Sequence, residues 1–154
     1  MATTKRSGGR KKAKAAEVLE ELPVSVEAAS ERELFVGVAR AVCDLMVEPP
    51  ADLTAGVAVQ FNLEGNGWGE LLVHWVRELV AARQQRGYVF KKFVIHDLSK
   101  YRLSAEAWGE KESAERAPQR REVRGVPYHR VSVEHDDATG LWKVSISLEV
   151  VAQR

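Results

Sequence analysis

Cysteine is almost missing from this chain: Cys43 is the only one in 154 residues. A lone thiol excludes an internal disulfide, and it fits a reducing cytosol. Cys43 falls within a helical apolar pattern, so it reads as a buried thiol rather than a nucleophile. Long apolar runs are missing too. No stretch approaches the roughly 20 residues that a membrane helix needs, so no membrane role is expected. The N-terminus is basic with no apolar stretch behind it, and is not expected to be a secretory signal. A phosphate-cradling glycine loop, a CxxC pair, a GxSxG elbow and an HExxH helix are all absent. The histidines are His74, His96, His129 and His135, and none is paired with another at metal-ligand spacing. Nothing marks a serine as a nucleophile with its base. The residues by themselves therefore show no catalytic machinery.

What is present is an ordinary soluble composition, 45% apolar and 29% charged, in a length that suits one domain with one core. The net charge of +1 hides an asymmetry. Six of the 23 basic residues precede Glu17, the first acidic one. The remaining 17 face all 22 acidic residues, a balance of −5. Residues 1–16 read as a disordered basic tail and 17–154 as a single domain. The tail "KRSGGRKKAKAA" has the charge to touch RNA. It has no interleaved aromatic for base stacking, so a solvated tail is the simpler reading.

The periodicities then alternate between helix and strand. "VSVEA" (24–28) reads as a short strand. Ser30 and Glu33 are spaced as a capping box, and behind them Leu34, Phe35, Val38, Val42, Leu45 and Met46 recur on one helical face. "EPP" at 48–50 stops that helix, because proline cannot continue it. Residues 56–65 alternate as a strand. From Trp68, a second helix carries Leu71, Leu72, Trp75, Val76, Leu79 and Val80 as its stripe, with His74 on the flank as a surface or packing residue. Residues 88–96, 101–110, 121–133 and 141–150 read as strands, with "DLSK" (97–100) and "DDATG" (136–140) as turns. The expectation is an α+β fold in the order β-α-β-α-β-β-β-β, with two helices packed on one face of a mainly antiparallel sheet.

One strand does not behave like the others. "REVRGVPYHRVSV" (121–133) places Gly125 and Pro127 inside a strand pattern, with Arg121, Arg124 and Arg130 around them. Proline removes a ladder N–H, so this strand should lie at an edge or be bulged there.

Five segments in order resemble the archease family. That family begins with a His-Thr-Ala-Asp-type strand and a helix with a Leu-Phe-like pair, matched here by "VSVEAASERELF". Its second helix, with an acidic residue, two leucines, a tryptophan and Glu-Leu, is similar to "GELLVHWVREL". A strand with a Gly-Glu end resembles "AEAWGE", and a Glu-Val-Lys-Ala-Val-Thr-Tyr-His-like strand resembles "EVRGVPYHRV". The closing tryptophan and apolar strand are similar to "LWKVSISLEV".

The resemblance implies a cytoplasmic accessory protein, not an enzyme, that promotes guanylylation and turnover of a GTP-dependent RNA ligase in tRNA splicing. It implies a contact surface that includes Arg116, Arg124, Tyr128 and His129. It also implies calcium or another divalent cation, held by an aspartate of the first strand, an aspartate near the C-terminus and an adjacent main-chain carbonyl. Hard cations take such oxygens. Here Glu149 stands for the second aspartate, with Val150 as the carbonyl donor. Pro23 stands where the first aspartate is expected, so Glu20 or Glu21, with Glu21 the choice, would supply that carboxylate from a shifted register. The histidine of the preceding loop is replaced by Ala117. The alternative reading is a diverged, metal-free binding module of the same fold with another protein or RNA as partner.

Overall fold

The computed structural model describes residues 17–153. The basic tail expected over 1–16 lies outside them. The elements are β1 (Leu19–Ala28), α1 (Glu31–Met46), β2 (Val57–Glu64), α2 (Trp68–Gln84), β3 (Tyr88–Ser99), β4 (Arg102–Lys111), β5 (Val123–Gly125), β6 (Val131–His135) and β7 (Trp142–Val151).

Half of the expected capping box is formed at the head of α1: the Glu33 amide donates to Ser30 Oγ at 3.2 Å, while the Glu33 carboxylate meets the Ser30 hydroxyl rather than its amide. It satisfies one amide that the helix leaves unpaired at its start. Leu34, Phe35, Val38, Ala39, Val42 and Met46 line the buried face of α1. On α2 the buried arc is wider and centres on Trp75, fully enclosed, whose indole N–H donates to the Phe35 carbonyl at 2.9 Å. That bond ties the two helices together where neither could hydrate a lone donor.

The strands divide into two antiparallel sheets rather than one. In the first, β7 is central. It pairs with all ten residues of β1 on one side, and with β5 and β6 on the other. The second has the order β2-β4-β3. Helix α1 touches β1 and β7 of the first sheet and β3 of the second, and α2 touches β6, β2 and β3. The helical layer thus serves both sheets, and its inner faces meet Val144, Ile146 and Leu148 from one and Phe61, Phe93 and Leu103 from the other. Each such side chain contributes roughly 1.5–3 kcal/mol when fully buried. An exposed ion pair contributes about 0–1 kcal/mol. The core, not the surface charges, holds the fold.

Three boundaries differ from the sequence expectation. Strand β1 begins at Leu19, five residues before "VSVEA". It tolerates Pro23 because it is an edge strand, paired only with β7. "DLSK" is not the turn: β3 continues to Ser99, and the reversal falls on Lys100 and Tyr101. Strand 121–133 is broken in two. Val123 and Gly125 pair with the end of β7 through a bulge, and pairing resumes only at Val131 opposite Ile146. Residues 126–130 therefore oppose only Ser147 and Leu148. The surplus is thrown outward as a single 3-10 turn, Tyr128–Arg130, which starts directly after Pro127.

Candidate functional site

The first sheet presents its polar face away from the core. Because side chains alternate, Glu21 on β1 and Glu149 on β7 fall on that face as direct cross-strand partners, with Gly125 of β5 as the third member of the row. Pro23 lies opposite Ser147, so the carboxylate that faces Glu149 is that of Glu21. Val150 points the other way. Its side chain is fully buried, and it is laddered to Glu20 and Val123.

Like charges directly opposite each other destabilise a sheet. Two features relieve this pair. At Gly125 a Cβ would lie 2.6 Å from Glu149 Oε1, so the glycine makes room for the carboxylate to lie over β5. Arg130 Nη1 reaches Glu21 Oε1 at 2.8 Å. Its neighbours on the same edge follow suit. Arg124 donates to Glu17 at 2.6 Å and approaches Glu122 at 3.0 Å. Arg121, mostly enclosed, pairs with Glu20 and donates to the Val151 carbonyl at 3.3 Å. Three arginines of the 121–130 segment thus span β7 to reach three glutamates at the start of the domain. Arg121 Nε is buried without a partner, so this arginine is held only through one end of its guanidinium.

These residues do not suit a calcium ion. Calcium takes about six to eight oxygens. Glu21 already serves a guanidinium, and among the described residues no three His, Cys, Asp or Glu side chains converge. The expected metal donors are placed side by side, but a cation of the protein's own already occupies one of them.

The thrown-out turn is fastened to α2. His74 Nδ1 donates to the Glu64 carbonyl at 2.6 Å, since a carbonyl can only accept. In the neutral imidazole Nε2 is then the acceptor, and the Tyr128 hydroxyl donates to it at 3.0 Å. Arg77 donates to the same hydroxyl at 3.1 Å, to the Val126 carbonyl at 2.7 Å, and lies over the Tyr128 ring at 4.1 Å. Tyr128 remains 46% exposed. His129 is exposed and makes no hydrogen bond or ion pair among the described residues.

Arg116 is placed elsewhere. It clamps its own loop, with Nε at 2.8 Å from Glu112 and Nη2 at 2.6 Å from Asp52. It shares no bonded partner with Tyr128 or His129. The Arg116 guanidinium holds the Asp52 carboxyl below its ordinary range, first by hydrogen bond and then by charge. Ala117, beside it, is fully buried in the core. Sequence reasoning missed His74 and Arg77 as supports for Tyr128. Their only signal was a polar spacing of three on α2, which places them on one helical face. A surface cavity of about 660 Å³ lies around Glu64, Glu70, Asp97 and Arg102; it adjoins the site only at Glu64, whose carbonyl accepts from His74.

The class defined by this fold and site is a layered α+β domain with an arginine–glutamate seam and a pinned aromatic turn. Among the described residues no helix is long and apolar enough to cross a membrane. Residues 22–150 match the archease protein family (MTH1598/TM1083), and the chain belongs to that family. Relatives include the archease of Methanopyrus kandleri, 31% identical over 71% of this chain and 79% of that protein. The archease of Pyrococcus abyssi is 32% identical over 66% of this chain and 73% of its own length. The solution structure of protein 1598 from Methanobacterium thermoautotrophicum shares the fold with a TM-score of 0.68 at 21% identity, covering 85% of this chain and 97% of that one. The crystal structure of a Thermotoga maritima archease, described as a possible chaperone, superposes with a TM-score of 0.54 at 11% identity, over 83% and 89% of the two chains.

Proposed function

We propose that this protein is a non-catalytic accessory factor that binds a GTP-dependent RNA ligase of the tRNA-splicing type and promotes its guanylylation and turnover. Membership of the archease family supports the class of role. The observation that carries the contact surface is the turn at 128–130. A five-residue excursion from a strand is costly in ladder bonds, yet here Arg77 and His74 fasten it to α2 so that Tyr128 and His129 face outward. Tyrosine is among the residue types enriched in binding hot spots, and here it is held rigid on an exposed turn. Arg124 belongs to the same edge, and its charge is shared with Glu17 and Glu122. Arg116 would contribute through a different part of the surface.

The test is a label-transfer assay with the GTP-dependent RNA ligase encoded in the same genome. Adding the purified protein is expected to raise the rate of GMP transfer onto the ligase and to convert single-turnover joining into repeated turnover. Unchanged rates at saturating protein would refute the proposal. The basic tail is tested alongside: RNA affinity at low salt that is unchanged by its removal rules out the tail as an RNA contact.

A further inference from the structure

We infer that Arg130, paired with Glu21, offsets one of the two charges of the Glu21–Glu149 carboxylate pair, so that the guanidinium stands in for a divalent ion and the domain is metal-independent. Several observations converge on this. The two glutamates are direct cross-strand partners on one face, an arrangement that repels unless a cation is near. The cation that is near is covalently part of the chain, 2.8 Å from Glu21. It arrives there because Pro127 and the 3-10 turn lift the chain out of the ladder and return it beside β7, which sets Arg130 at the mouth of the row. Gly125 completes the arrangement by letting Glu149 lie over β5.

The arginine neighbours exclude a coincidence of one rotamer. Arg124 likewise reaches Glu17, and Arg121 reaches Glu20 on the other, helix-side face of the sheet. The N-terminal glutamates Glu17, Glu20 and Glu21 are thus each served by an arginine of the 121–130 segment. A guanidinium is always charged and does not depend on ion concentration, whereas a site with two carboxylates binds calcium only weakly. The guanidinium thus fastens β1 to the 128–130 turn through Glu21 whether or not calcium is present.

The experiment is calorimetric titration of the full chain with calcium chloride, with thermal melting followed in calcium and in chelator. Wild-type protein is expected to release no binding heat and to melt at the same temperature in both. Arg130→Ala is expected to acquire one saturable calcium site, with a Kd on the order of 10⁻⁴–10⁻³ M. It should lose that site again in the Arg130→Ala/Glu149→Gln double variant. If Arg130→Ala does not fold, Arg130→Gln removes the charge while keeping most of the volume, and carries the same readout. Calcium binding by the wild type that Glu149→Gln abolishes would overturn the inference. So would the absence of any calcium response in a folded variant lacking the Arg130 charge.

Discussion

Tyr128 has little of its polarity left to offer. Its hydroxyl donates to His74 and accepts from Arg77, and Arg77 covers one ring face. Under the proposed function, a partner would meet the remaining ring surface and the exposed imidazole of His129. Recognition at this point is therefore by shape and apolar contact more than by a hydroxyl hydrogen bond. Cys43 illustrates the opposite case, a reactive group removed from chemistry. The residue as a whole is only partly buried, yet its sulfur is enclosed. Loss of hydration, and then the Asp44 carboxylate, push the thiol from 9.0 to about 12, with Arg40 offsetting a part. A raised value means that the folded state holds the proton. The stabilising contribution is complete below the ordinary thiol value and is lost as pH rises through it toward about 12. Cys43 is expected to resist a thiol-specific reagent at neutral pH and to react at once in denaturant. Rapid labelling of the native protein would contradict its enclosure.

At the scale of elements, two glycines that look alike in the sequence differ in what they permit. A Cβ at Gly109 of β4 would lie 1.9 Å from the Val89 carbonyl oxygen and 2.8 Å from Phe90 Cα, both backbone. This is where β3 bulges between Phe90 and Lys92. At Gly125 the obstacle is only the end of the Glu149 side chain. Gly109→Ala should cost about 1–3 kcal/mol or more, because a strand must move. Gly125→Ala should cost within about 0.5 kcal/mol, because a carboxylate can swing aside. Urea denaturation of the two variants distinguishes these outcomes. Equal losses would contradict the geometry.

The helices were legible because caps and a 3.6-residue period are local signals. Ser30, Glu33 and the apolar stripe of α1 stand where the sequence puts them. Pro127 announced an edge or a bulge, and both are present, but nothing local told how far the chain would leave the ladder. The start of β1 was missed because "LEELP" neither alternates cleanly nor avoids proline. Its pairing with β7 comes from the far end of the chain.

For the molecule as a whole, the first and seventh strands close the domain. The ends of the described chain lie together, and the arginine seam fastens them. Arg121, Arg124 and Arg130 find partners 101, 107 and 109 residues away, a separation no pattern in the sequence encodes. For the same reason the division into two sheets could not be read in advance: it depends on which strands find each other, not on how each alternates. Glu21 and Glu149 were both marked by resemblance to the archease pattern. That they face each other, and that Arg130 pairs with Glu21, follows only from register. The consequence is a scaffold whose N-terminal acids are already neutralised and whose outward feature is the turn beside them.

The proposed function places the contact with the ligase on that turn. The most direct measurement is the rate of ligase guanylylation as a function of the concentration of the Tyr128→Ala variant, after circular dichroism has shown its fold to be retained. Loss of a tyrosine anchor should raise the concentration for half-maximal stimulation by about tenfold or more. Stimulation by Tyr128→Ala at the wild-type concentration and to the wild-type rate would contradict it.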